Sequence, residues 1–141
     1  MLPDLPERKQ LVFDAVVPVR WGDMDAMGHV NNTVYFRYME IARLDWLSTV
    51  DLRAVPQGQG PVIVNAFCNF HQELRHPGDV RVSLFVANPG RSSFDTFYEL
   101  RRTDDATTLH ATGGAKTVWI DHALRKSAPL PEVLRQRIVN G

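Results

Sequence analysis

The sequence has a single cysteine, Cys68, no excess of charge of either sign and no long apolar run. One thiol excludes an internal disulfide and suits a reducing compartment. Sixteen Lys and Arg balance sixteen Asp and Glu, so the net charge is zero and no general field draws in nucleic acid or an anionic membrane. No stretch reaches the ~20 apolar residues of a membrane-spanning helix. Met1-Leu2-Pro3-Asp4-Leu5-Pro6-Glu7 carries two prolines and two acids where a signal peptide needs a basic and then an apolar run. These absences lead to the expectation of a cytoplasmic protein without nucleic-acid or membrane partners.

What is present is ordinary globular composition, 44% hydrophobic and 23% charged over 141 residues, enough for one domain and one core. Leu11 to Trp21 is rich in Val and Phe and reads as a strand. A polar, glycine-punctuated loop follows, Gly22 to Asn32, with Asn31 or Asn32 as a natural N-cap. From Thr33 to about Val50, Tyr35, Tyr38/Met39, Ala42 and Trp46 recur at the helical period. Arg37, Glu40 and Arg43 lie at i, i+3 spacing on another face, where they can pair as ions.

Pro56 to Pro61 ends the helical pattern, and Val62 to Leu74 reads as a strand before a turn at His76-Pro77-Gly78-Asp79. Val80, Val82, Leu84 and Val86 then alternate with Arg81, Ser83, Phe85 and Ala87, as do Phe94, Thr96, Tyr98 and Leu100 with their neighbours. With Thr107 to Ile120 these runs form an antiparallel meander. The expectation is an α+β fold: one long helix on a five-stranded antiparallel sheet, a core at about residues 11–122, and a tail with a short helix at 131–139. The uncovered side of the sheet calls for self-association.

The densest polar cluster is Asp23, Asp25, His29, Asn31 and Asn32. Asp23, Asp25 and Gly28 imitate the start of a calcium loop, but Met27 and Val34 stand where that loop needs an oxygen and a Glu. No second His, Cys or Glu lies nearby to complete a divalent site, so no metal is expected. An aspartyl-phosphate nucleophile would need a parallel α/β sheet, which the late meander excludes. Hydrolysis at a carbonyl remains. The first N–H groups of a helix are unsatisfied and partly positive, and can serve as an oxyanion hole. Gly28 lets the loop turn so that Asp25 faces the carbonyl carbon as base or nucleophile. Against this stands the plain reading that Asp25 and Asn31 only cap loop and helix.

The run Arg20-Trp21-Gly22-Asp23-Met24-Asp25-Ala26-Met27-Gly28-His29-Val30-Asn31-Asn32-Thr33-Val34-Tyr35-Phe36 resembles the active-site segment of the 4-hydroxybenzoyl-CoA thioesterase-like family of hotdog-fold acyl-CoA thioesterases. Tyr38, Glu40, Ala42 and Arg43 extend the match, and Arg75 to Asp79 and Gly90 to Phe94 resemble that family's hairpin turns in order. The resemblance implies a helix wrapped by a curved sheet, and a homodimer or dimer of dimers with active sites at the interface. It places the catalytic carboxylate at Asp25 and the carbonyl-polarising backbone N–H at or next to Asn32. The substrate would be an acyl-CoA, or an acyl carrier protein thioester, with no cofactor. Aromatic residues replace Asn31-Asn32 in the benzoyl-CoA enzyme, so the resemblance carries the reaction class and not an aromatic substrate.

The expected site is therefore Asp25, Asn32 and His29 for the chemistry, with Gly28, Asn31, Tyr35, Arg91, Ser92 and Ser93 at the substrate. Each has a plainer alternative: a backbone-bonded loop histidine for His29, core packing for Tyr35 and Tyr38, a solvated hairpin for Arg91 to Ser93. Asp23 reads as a loop brace, Cys68 as a packed strand thiol, and Gly113-Gly114 as a point of close backbone approach. A hotdog dehydratase or hydratase and a non-catalytic thioester-binding module are the rival functions.

Overall fold

The computed structural model describes residues 5–140; Met1 to Asp4, part of the prolyl segment read above, and Gly141 lie outside them. Strand β1 (Gln10–Pro18) leads through a 3-10 turn (Trp21–Asp23) and a loop into helix α1 (Asn32–Leu47). Strands β2 (Gln59–Phe70), β3 (Asp79–Ala87), β4 (Ser93–Arg102) and β5 (Ala111–Asp121) follow, then a two-residue strand β6 (Lys126–Ser127) and helix α2 (Glu132–Asn140). The sheet runs β1-β3-β4-β5-β2, antiparallel throughout, with β6 beside β5. This is the expected hotdog arrangement with one short strand more than the sequence pattern showed.

The sheet curls around α1 because its alternating apolar residues need cover on one face only. Val80, Val82, Leu84 and Val86 on β3 and Phe94, Thr96, Tyr98 and Leu100 on β4 are all buried beneath the helix. From α1 they meet Tyr35, Tyr38, Met39, Ala42 and Trp46, the stripe that the helical period marks. Gly113 on β5 lets Met39 sit against the strand: a β-carbon there would lie 2.4 Å from Met39 Cε and 2.8 Å from the Phe67 carbonyl oxygen. Helix α1 stops at Leu47 rather than Val50, since the hydroxyls of Ser48 and Thr49 turn back onto the carbonyls of Asp45 and Trp46 (both 2.6 Å).

The far end of the sheet is closed by the tail. Leu130 N donates to Arg91 O (2.9 Å), Arg135 Nη2 donates to Gly90 O (2.6 Å), and Leu130, Leu134 and Ile138 are buried. The ion-paired face expected for α1 does not form: Glu40 has no ion pair among the described residues, and Arg43 Nη1 donates to the buried Tyr98 hydroxyl instead (3.0 Å). No helix among the described residues is long and apolar enough to cross a membrane.

Candidate active site

Between β1 and α1 the chain folds back on itself. Asp25 N donates to His29 O (2.8 Å), Gly28 N to Asp25 O (3.0 Å), and Met27 N to the Asp25 carboxylate oxygen Oδ1 (2.9 Å). Gly28 has φ +78°, the left-handed region in which a β-carbon is strained, so glycine lets the turn close at low cost. Asp23 ties this loop to the body. Its Oδ2 accepts from Arg20 N (2.9 Å) and from the Tyr38 hydroxyl (2.8 Å), and its carbonyl accepts from Asn31 N (2.9 Å). Burial, followed by this bond to the Asp23 carboxylate, pushes the Tyr38 phenol far above its ordinary range, so it stays a donor.

The Asn31 side chain is the N-cap of α1, accepting from Thr33 N (2.9 Å) and Thr33 Oγ1 (2.7 Å). The N–H of Asn32, the first helical residue, finds no acceptor among the described residues. It retains the partial positive charge of a helix N-terminus.

The opposite wall is a segment whose role the sequence did not reveal. Strand β2 ends at Phe70 rather than Leu74, because the N–H groups of His71 and Gln72 both turn onto the His110 carbonyl (2.9 and 3.1 Å). The next residues cross the start of α1, where Leu74 O accepts from Val30 N (2.9 Å) and Leu74 N donates to the Tyr35 hydroxyl (3.2 Å). The polar triplet His71-Gln72-Glu73, after an uncharged strand, was the available signal.

Between loop and segment lies a cavity of about 280 Å³. Asp25, Met27, His29, Val30, Asn32 and Tyr35 line one side, and Phe70, His71, Gln72 and Glu73 the other. Tyr35 is buried with its ring edge-on to Phe70 (centroids 4.9 Å apart), and burial raises its phenol so that it stays neutral. The Glu73 carboxyl is held below its usual range, first by its own backbone N–H and also by the Arg75 guanidinium. Asp25, His29 and Asn32, the first residue of α1, thus line one cavity.

Of the sequence-predicted residues, Asp25, His29, Asn32 and Tyr35 come together here, while Gly28 and Asn31 shape the walls from behind. Arg91, Ser92 and Ser93 do not join them. Phe70, in the cavity wall, pairs with Ala111, whereas Ser93 pairs with Val118, seven residues or roughly 23 Å further along β5. Among the described residues, no group of three or more His, Cys, Asp or Glu could hold a metal ion.

Residues 19–138 match the model of the thioesterase-like superfamily, and the chain belongs to that superfamily of hotdog-fold thioester hydrolases. Among solved structures, it is similar to a candidate thioesterase from Pseudomonas aeruginosa, with 38% identity over 92% of this chain and 100% of that one, at a TM-score of 0.86. A candidate acyl-CoA thioesterase from Xanthomonas campestris is 33% identical over 86% of this chain and 100% of that chain, with a TM-score of 0.76. A 1,4-dihydroxy-2-naphthoyl-CoA thioesterase from Synechocystis shares the fold at 22% identity, covering 92% of this chain and 98% of its own, with a TM-score of 0.81. No curated protein matches the chain.

Proposed function

We propose that the protein hydrolyses an acyl-CoA to a carboxylic acid and free coenzyme A, in a cytoplasmic setting. Asp25 attacks the thioester carbonyl or activates the water that does, while the Asn32 N–H stabilises the oxyanion. The single observation that carries this is the shared cavity of about 280 Å³, lined by both Asp25 and Asn32, whose backbone N–H has no acceptor among the described residues. With Met27 N holding one Asp25 oxygen, the other is left for the reaction. His29 supplies a further polar group to the carbonyl, and Tyr35 and Phe70 supply apolar contact for the acyl group. The test is release of free thiol from short, long and aromatic acyl-CoAs and from an acyl carrier protein thioester. Release from the CoA esters supports the reading; binding without release across the panel replaces it with a non-catalytic module.

The same reading includes a homodimer, alone or doubled. Strand β2 is a free edge of twelve residues without a single charge, the kind of edge that soluble proteins normally pair or cover. Val64 and Phe70 on it, and Phe36 on α1, are large apolar residues left exposed. A two-fold pair of β2 strands is antiparallel, so it lays the Gln59 end of one chain beside the Phe70 end of the other. That end is the one bearing Arg91, Ser92 and Ser93, which supports a role for them in holding coenzyme A phosphates in trans.

A further inference from the structure

Arg75 had no role in the sequence reading beyond a hairpin turn, yet it reaches the polar side of the cavity. Its Nη2 lies 3.0 Å from His29 Nε2 and 3.3 Å from Glu73 Oε1. A guanidinium has donors only, so in the contact with His29 the ring nitrogen must accept. An imidazole that accepts at Nε2 is neutral and carries its proton on Nδ1. No partner for Nδ1 exists among the described residues, and His29 lines the cavity. Left to water, a neutral imidazole favours the other tautomer, with the proton on Nε2.

We propose that Arg75 is a positioning residue for the hydrolysis: by donating to Nε2 it holds His29 as the neutral Nδ1–H tautomer, with that N–H free to donate to the thioester oxygen. The inference rests on the reading above that the cavity binds a thioester. No proton changes hands in this role. The Nδ1–H adds a second hydrogen bond to the developing oxyanion beside the Asn32 N–H, and Asp25 alone does the base or nucleophile chemistry. Glu73 acts as the anchor, since its carboxylate holds the same guanidinium nitrogen and so fixes where Arg75 points. Glu73 lies 3.9 Å from Nε2, too long for a hydrogen bond, Asp25 meets His29 through backbone, and His71 lines the same cavity.

The test reads the tautomer directly, by long-range ¹H–¹⁵N NMR of the whole protein at a pH where the imidazoles are neutral, with His29 assigned from its missing signal in His29→Gln. The wild type should show a protonated Nδ1 and a bare Nε2. Arg75→Met should move the proton to Nε2 and lower kcat roughly 10-fold with little change in KM, less than the ~10²–10³ of deleting an oxyanion donor outright. Arg75→Lys, which keeps a donor, should restore the wild-type tautomer and part of kcat. Dispersed amide spectra establish that each variant is folded. A wild-type proton on Nε2, an unmoved tautomer in Arg75→Met, or a moved tautomer with unchanged kcat would each overturn the proposal. The tautomer is readable without turnover, so a protein inert toward every thioester would sink the hydrolase reading and leave the Arg75–His29 assignment standing on its own signal.

Discussion

The Tyr38 hydroxyl donates a 2.8 Å hydrogen bond to Asp23 Oδ2, joining the buried face of α1 to the turn that leaves β1. Asp25 is two residues further along, so the position of the carboxylate proposed to react depends on this brace. Tyr38→Phe keeps the packing but leaves a partly buried carboxylate short of one donor. It should cost about 1–3 kcal/mol in urea unfolding. kcat should fall along with stability, because the loop that carries Asp25 loosens; an unchanged kcat at a temperature well below the melting point would show that the brace is purely structural.

Asp25→Asn is nearly isosteric and keeps an oxygen for the Met27 N–H. Thermal stability and oligomer size should match the wild type while thioester turnover falls ~10²-fold or more, as expected when a base or nucleophile is lost. Thiol release within a few-fold of wild type would remove Asp25 from the chemistry.

Gly113 faces α1 at a point where there is no room for a side chain. Gly113→Ala should destabilise the protein by roughly 1–3 kcal/mol through overpacking. Shortening Met39 to Val in the same protein should recover only part of this, because the added β-carbon still meets the Phe67 carbonyl oxygen, a backbone atom 2.8 Å away. Chemical denaturation of the single and double variants gives the comparison.

Burial pushes the Cys68 thiol up to about 12. The thiolate is the reactive form, so iodoacetamide at pH 8.5 should label the folded protein far more slowly than the urea-unfolded chain. The sign of the pH effect follows. With the folded pKa raised above the unfolded value of ~8.5, this contribution to stability is complete below about pH 8.5 and fades as pH rises toward 12. Cys68→Ala should remove that component of alkaline destabilisation.

Arg91→Ala should raise KM for acyl-CoA with little change in kcat, the signature of lost uniform binding. Added salt should shrink the effect, and a short thioester without the nucleotide should not show it. Light scattering on the same samples should give a dimer or tetramer. A monomer with full activity would exclude any contribution from Arg91 in trans.

The residues that were legible in the sequence are those whose neighbours are local. The period of two put Val80, Val82, Leu84 and Val86 on one face, the helical period did the same for Tyr35, Ala42 and Trp46, and all are buried as expected. Asp25, His29 and Asn32 stood out because a loop and a helix start share one short stretch. What was not legible depends on partners far away in the chain. Strand β2 stops at Phe70 because His110 offers its carbonyl to His71 and Gln72, and Arg43 leaves its helical neighbours for Tyr98, 55 residues on. The cavity's second wall, His71 to Glu73, follows from the first of these events, and the polar triplet itself was the one local trace of it.

Strand β1 lies beside β3, so that Asp14 meets Ser83 across 69 residues of chain. During synthesis strand β1 therefore leaves the ribosome well before β3, its neighbour among the described strands, exists. Helix α1 and the β3–β4 hairpin can form from nearby residues, but β1 has to wait, unpaired, until the chain has doubled back. The loop bearing Asp23 and Asp25 hangs from the end of that waiting strand. A nascent chain interrupted before Asp79 would thus carry every residue of the Asp25 loop without the strand that pairs with its stem.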